Sequence, residues 1–457
     1  VIMQPPKTDA DRFSQRFMLV KCAAMVRAFR SHPSLIQYTL QNEVGADLKD
    51  PAVFAALDVM RAEDASRCIV LNDGMTAPPT SAAQAWYAPY DPQPHRSDKE
   101  AFGAWWNDHQ GAGDQWYDEF YCDPRHFNYD QSLRTALVQF GEMEGCAVPD
   151  DHRHLVEEIE RRGGTSYDLS DHRAILSAYD AFLDRWGFRT AFPTASALFA
   201  ALGRKCYESW QQYMENARID DAADFATISG WESTAIENHS GIVDNFRNCK
   251  GDPDAIRAAL LPVRPVAKQR RMAVARGETA TFDLYLLNDT GAPVSGKLVF
   301  AMTDPRGKRT KLAEFAVPDF PPDCFSRLVR ESFSTPPLTE EGPYRFTFVV
   351  SDMPAYAFRR TLWVADAERP PLAGRTLRVG VAGILDATRR QLAALPGVTV
   401  EDFRPGTDYA VVATAGLCAK STPAQRLGGV AGIDLQRKTR SPLVPGEIPD
   451  AMLAAVE

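Results

Sequence analysis

The chain has 457 residues, 45% of them hydrophobic and 24% charged. That balance excludes wholesale disorder and a fibrous fold, and at roughly 100–200 residues per domain it implies two to four domains. Sixty acidic against 51 basic residues give a net charge of −9, which speaks against a dedicated nucleic-acid binder, and no run approaches the ~18 apolar residues that span a bilayer.

The eight cysteines, at 22, 68, 122, 146, 206, 249, 324 and 418, form no Cys-x-x-Cys pair. A zinc ribbon or thioredoxin-type site is therefore not expected, and scattered thiols in a reducing compartment are. The start of the chain, at Val1, has neither the basic region nor the apolar stretch of a signal peptide. The compartment stays open between cytoplasmic and periplasmic or secreted.

From Arg12 to about residue 248, helical and strand patterns alternate. Met18, Leu19, Cys22, Met25, Val26 and Phe29 recur at helical spacing. His32-Pro33 stops that helix. Leu35 to Leu40 reads as a buried strand ending at Gln41-Asn42-Glu43. A helix over Pro51 to Asp64 and a strand over Cys68 to Leu71 follow. Short strands are expected at Ala85 to Tyr90, Ala136 to Phe140 and Phe225 to Gly230, with a long helix over Ala195 to Asn216. Repeated helix–strand units with polar residues at the strand ends predict a parallel α/β architecture, here the late part of a (β/α)8 TIM barrel over 1–250.

Between 262 and 366 the pattern changes to period two. Thr279 to Leu287, Lys297 to Ala301, Tyr344 to Val350 and Phe358 to Val364 read as strands between Gly- and Pro-containing turns. They predict an immunoglobulin-like β-sandwich able to fold by itself. A Pro-rich linker at 368–374 leads to a partial open α/β domain over 375–457. There Leu377 to Val381 is a strand, Asp386 to Leu395 a helix, and Val398 to Phe403 and Tyr409 to Ala413 further strands. Its glycines, Gly380 and Gly383, are spaced Gly-x-x-Gly, so a dinucleotide site is not expected.

An apolar strand has no structural need to end in Asn-Glu, although a surface Glu or a helix cap would look the same. A carboxyl at a barrel mouth can have its pKa raised by a second carboxylate and act as a general acid. The wider segment, Arg30, His32, Pro33 and Ser34 followed by an apolar strand and Asn42-Glu43, resembles the acid/base segment of glycoside hydrolase family 2. That family includes β-galactosidases, β-glucuronidases and β-mannosidases. The resemblance implies that Glu43 is the acid/base and that Asn42 contacts the sugar 2-hydroxyl. Gln41 stands where the family often has Gly. The family's nucleophile follows on strand seven, and the strand ending at Gly141-Glu142 lies 99 residues (142 − 43) past Glu43. Glu142 is the expected nucleophile, with Glu144 and Glu232 as rivals. Tyr87, on the expected strand six, would hydrogen-bond the nucleophile. Trp231, at the end of strand eight, would stack beneath the sugar. An aromatic core strand and a buried structural Trp are the plain readings of these two.

The segment after strand seven carries Asp150, Asp151, His152, His154, Asp168, Asp171 and His172 without a His-Glu-x-x-His motif. It reads as a solvated helical insertion, and neither a metal nor an organic cofactor is expected. The expected activity is a retaining exo-β-glycosidase, most nearly of β-galactosidase type, with its two carboxylates about 5 Å apart. Another family 2 specificity, or a non-catalytic carbohydrate-binding or assembly protein, is the alternative. Counting the Asn-Glu strand as the fourth leaves five of eight barrel strands. The expected partners are therefore a carbohydrate substrate and the missing N-terminal portion of the same protein, with no nucleic acid and no membrane. A homo-oligomer is compatible with the sequence.

Overall fold

A computed structural model of the chain describes residues 7–42, 48, 51–73, 84–97, 105–108, 137–144, 149–165, 167–185, 187–220, 224–232, 241–366, 376–381, 386–404, 407, 409, 411–413, 433–434 and 439–440. The chain forms two compact units, Val1–Val364 and Ala365–Glu457.

The first unit opens with α1 (Asp9–Phe29). Its start is fixed by a capping box in which the Thr8 hydroxyl accepts from the Asp11 N–H and the Asp11 carboxylate accepts from the Thr8 N–H. Cys22 and Val26, one turn apart, are its buried residues. Strand β1 (Gln37–Asn42) follows, then α2 (Pro51–Glu63), where Val53, Ala56, Leu57 and Met60 make one buried stripe. Strand β2 (Cys68–Asp73) pairs parallel to β1, with Gln37 opposite Cys68 and Asn42 opposite Asp73. Ile69, Leu71 and Tyr38 on one face pack against Cys22 and Val26 of α1 and Val53, Leu57 and Met60 of α2.

Two short strands, β3 (Gln84–Tyr87) and β4 (His95–Ser97), complete this four-stranded sheet in the order β1-β2-β3-β4. The strand expected at Ala85 to Tyr90 runs antiparallel to β2, and not parallel as a sixth barrel strand must. The cause is legible in its connection. Only residues 74–83 join β2 to β3, and a parallel crossover needs a dozen or more residues, usually a helix.

A second sheet is parallel throughout: β5 (Trp105–Asp108), β6 (Leu137–Glu144) and β7 (Phe225–Ser229), in that order. Strand β6 runs four residues beyond the expected Phe140 and carries Glu142 and Glu144 within it. Between β6 and β7 stand α3 (His152–Arg161), α4 (Tyr167–Arg185) and the 26-residue α5 (Ala195–Asp220). The short helix α6 (Pro253–Ala259) leads into the sandwich.

The sandwich has two antiparallel sheets. One has the order β13-β10-β8, from β8 (Val263–Gln269), β10 (Thr281–Asn288) and β13 (Ser326–Ser334). The other has the order β12-β11-β14-β15-β9, from β9 (Ala273–Ala275), β11 (Lys297–Thr303), β12 (Arg309–Ala316), β14 (Gly342–Val350) and β15 (Phe358–Ala365). Phe282, Phe300, Phe346 and Phe348 fill the space between them, with Phe282 and Phe346 ring centroids 4.6 Å apart. Strand β8 is buried at every position, Arg264 and Lys268 included, where an isolated sandwich would alternate. The end of α5 accounts for this: Ile219 joins the sandwich core and Glu215 binds Arg264.

The second unit centres on β16 (Leu377–Val381), flanked in parallel by β17 (Val398–Asp402) and β18 (Val411–Ala413), with α7 (Asp386–Ala393) between β16 and β17. A two-stranded ribbon, β19 (Ile433–Asp434) with β20 (Thr439–Arg440), follows. Gly380 has a packing reason, since a Cβ there would lie 3.0 Å from the Tyr409 ring.

Candidate active site

Of the polar residues expected to carry the chemistry, Asn42 ends the parallel-paired strand β1 and Glu142 lies near the end of the parallel strand β6. In the first sheet Gln41 stands opposite Asn72 and Asn42 opposite Asp73. Cys68, Val70 and Trp86 share the face that bears Asn72, and Phe225 at the start of β7 packs on them. Gln41 and Asn72 continue that face toward the strand ends, and Asn72 is wholly buried. Burial also pushes the Cys68 thiol up to about 11, so it stays protonated. Glu43, one residue beyond β1, lies outside the described residues.

Tyr87 is not brought to that end. It is paired with Ile69, which is itself paired with Tyr38, so it stands level with a residue four positions before Asn42. At about 3.3 Å per residue that is roughly 13 Å short of the strand end. Its ring joins the cluster under α1 and α2, its hydroxyl donates to the Asp58 carboxylate, and the Arg61 guanidinium lies 5.0 Å from its ring centroid. Its hydroxyl is thus bonded to α2. The antiparallel turn of β3 is the reason.

The second sheet gathers more. Glu144 is opposite Ser229 and Met143 opposite Ile228, while Phe140 is opposite Ala226. Two β6 residues, Gly141 and Glu142, therefore face one β7 residue, Thr227, which makes a bulge at the expected nucleophile. Bulges bend the strand and redirect the chain that follows, and they recur beside active sites. Two residues beyond Ser229 comes Trp231, 60% exposed, followed by Glu232, whose carboxylate lies 3.5 Å from the Arg247 guanidinium. An indole left in water at a strand end is a ready stacking surface, where a structural Trp would be covered. Glu144 thus stands opposite Ser229, two residues before Trp231, and Glu142 lies in the bulge.

The insertion departs from the solvated helices the sequence suggests. Asp150, His152 and His172 are fully buried. The two imidazoles meet Nδ1 to Nδ1 at 2.8 Å, and the His152 ring packs against Tyr179 and Phe199, which also meet each other edge to face. One ring must donate and the other accept, so the bond survives only while at least one imidazole is neutral. Burial lowers the His172 pKa, against the pull of Asp150, Asp168 and Asp171. Asp150 also pairs with Lys250 at 2.6 Å. The sequence signal for this cluster was present, since His152 and Asp150 straddle a helix start, but only packing shows which face is inward.

Among the described residues no group of three His, Cys, Asp or Glu side chains could hold a metal ion, and no helix is long and apolar enough to cross a membrane. Of the described cysteines, Cys22, Cys68 and Cys206 are buried free thiols, Cys249 is exposed and Cys324 intermediate. A cavity of about 420 Å³ lies between sandwich loops, lined by Val294, Phe320, Pro321 and Phe325, and shares no residue with the strand ends described above.

No known family profile and no curated protein matches the sequence. Solved structures do. An exo-β-D-glucosaminidase, CsxA, aligns at 14% identity over 78% of this chain and 39% of its own, with a TM-score of 0.43. The Amycolatopsis orientalis exo-chitosanase CsxA aligns at 14% identity over 79% and 40%, with a TM-score of 0.42. A provisionally assigned β-galactosidase from Bacteroides fragilis aligns at 11% identity over 77% and 44%, with a TM-score of 0.30. The chain spans about two fifths of the length of these solved structures.

Proposed function

We propose that the chain carries the catalytic carboxylates of a retaining exo-β-glycosidase of the glycoside hydrolase family 2 type. The observation that carries this reading is the segment from Arg30 to Glu43. Its strand β1, with Tyr38 buried, pairs in parallel with β2 and ends at Asn42, at the carboxyl end where chemistry sits in parallel α/β folds. The bulged end of β6 and the exposed Trp231 support it from the second sheet.

In this reading Glu142 attacks the anomeric carbon and displaces the leaving oxygen, forming a glycosyl-enzyme. Glu43 gives that oxygen its proton and then takes one from the water that hydrolyses the intermediate. Asn42 holds the 2-hydroxyl and Trp231 stacks on the sugar face. The chemistry needs no organic cofactor. A β-galactoside is the substrate we favour, ahead of β-glucuronides, β-mannosides and β-glucosaminides.

The test is a screen on aryl β-glycosides of these four sugars, followed by labelling with a 2-deoxy-2-fluoro glycoside of the sugar that reacts. A covalent label on Glu142, located by mass spectrometry of the peptide, is the expected result. A label on Glu144 or Glu232 would move the nucleophile and keep the reaction class. Inversion of the product anomer with no adduct would refute the double displacement.

A further inference from the structure

A loop at residues 241–251 joins the helical insertion to the exit of β7. On one side it holds the β7 exit by backbone bonds. The Ile242 N–H donates to the Gly230 carbonyl at 3.1 Å and the Val243 N–H to the Trp231 carbonyl at 3.0 Å. On the other side the insertion holds the loop. Lys250 Nζ lies 2.6 Å from Asp150 Oδ1, with the two side chains 4% and 0% exposed. The Tyr207 hydroxyl donates to the Ile242 carbonyl, Asn248 meets His154 Nε2 at 3.2 Å, and the Arg162 guanidinium sits 4.6 Å over the Phe246 ring. The loop closes on itself through the Lys250 N–H and the Ile242 carbonyl, 3.2 Å apart. Gly203 on α5 lets it approach, since a Cβ there would stand 1.8 Å from the Lys250 carbonyl oxygen.

Two opposite charges out of water hold each other in one geometry, because either partner alone would be left uncompensated. We propose that Asp150 and Lys250 are positioning residues. Their ion pair locks the 241–251 loop, and the loop fixes the backbone of Trp231 so that its exposed indole stands ready as a platform. Neither residue touches the substrate. The inference rests on the proposed role of Trp231 in sugar binding, and it gives the insertion a purpose: it sets binding through the strap, with the carboxylates left as they are.

The experiment compares the full chain with Lys250→Met and with the double variant Asp150→Asn/Lys250→Met. The double variant removes both charges and leaves no buried ion unpaired, so it keeps the test open should the single variant fail to fold. Amide hydrogen exchange at Ile242 and Val243 reads the strap directly. Both amides should exchange about tenfold faster or more, while the core of the sandwich stays protected. On the aryl glycoside that reacts, KM should rise about tenfold with kcat within about twofold of the parent, the signature of lost binding and not of lost chemistry. Unchanged exchange in the folded double variant overturns the proposal, as does an unchanged KM or a loss confined to kcat. A parent chain that hydrolyses none of the glycosides even with its expected N-terminal portion supplied overturns the proposed function instead, and the exchange rates then decide the lock by themselves.

Discussion

Glu215 is the most exacting place to test the packing argument. Its Oε1 accepts from Arg264 Nη2 at 2.7 Å and Nε at 3.2 Å, and its Oε2 accepts from Arg360 Nη2 at 2.9 Å. Glu215, Arg264 and Arg360 are 3%, 1% and 11% exposed at the side chain. Both guanidiniums also lie over the Phe358 ring, at 5.3 and 5.0 Å. One carboxylate from α5 thus bonds two cations, on β8 and β15. Glu215→Leu leaves both cations buried with no counter-charge, and breaking a buried pair in this way costs about 3–5 kcal/mol. Urea unfolding followed by circular dichroism measures it, with the slope checked so that a shift in midpoint reports stability. The triple variant Glu215→Leu/Arg264→Met/Arg360→Leu should recover most of the loss, because a well-packed apolar trio removes the desolvation cost along with the attraction. A single variant within about 1 kcal/mol of the parent would show that water reaches the trio, in the manner of a surface pair. That result would also remove the account of why β8 is buried at every position.

Three further outcomes follow from the site and its supports. The lowered His172 pKa means the fold prefers a neutral ring; stability should therefore be full above the unfolded value of 6.5 and fall as pH drops below it. His172→Gln should flatten that dependence in thermal melts taken from pH 8 to 5, and a parent melt flat over the same range would refute the burial argument. Asp64 behaves the other way in depth: burial opposes its charge, but hydrogen bonds from Ser66, then Arg67 and Tyr38, outweigh it and lower its pKa to about 2. Its contribution, on the order of 1–2 kcal/mol after allowing for solvent screening, is present above pH 3.8 and lost toward pH 2, and Asp64→Asn should remove that acid-range dependence from the melts. Glu43→Ala should slow glycosides with poor leaving groups by about 10²–10⁴ and activated aryl glycosides far less, with azide restoring turnover. Equal losses on both substrate types, measured as kcat/KM, would remove Glu43 from the acid role.

The elements themselves were legible in the residues. The helix stripe Val53, Ala56, Leu57 and Met60, the period-two strands of the sandwich and β16 at Leu377–Val381 all follow from local periodicity, which is a property of neighbours in sequence. The end of β1 at Asn42 was visible for the same reason, whereas β6 runs past the expected Gly141-Glu142 ending to Glu144. Direction was not. Tyr87 reads as a strand residue from its neighbours, but whether it stands at the carboxyl or the amino end of β2 depends on the ten-residue connection before it and on the pairing with Ile69. The bulge at Gly141 and Glu142 likewise exists only against β7. Burial of charge was hidden for a stronger reason. Arg264, Glu215, Asp150 and His172 look like solvent residues one at a time, and each is inward only because a partner far along the chain meets it there: 49 residues away for Arg264, 100 for Asp150. Sequence periodicity ranks faces by their average polarity, so it assigns a charged position to water; only the tertiary structure can supply the counter-charge that lets it leave.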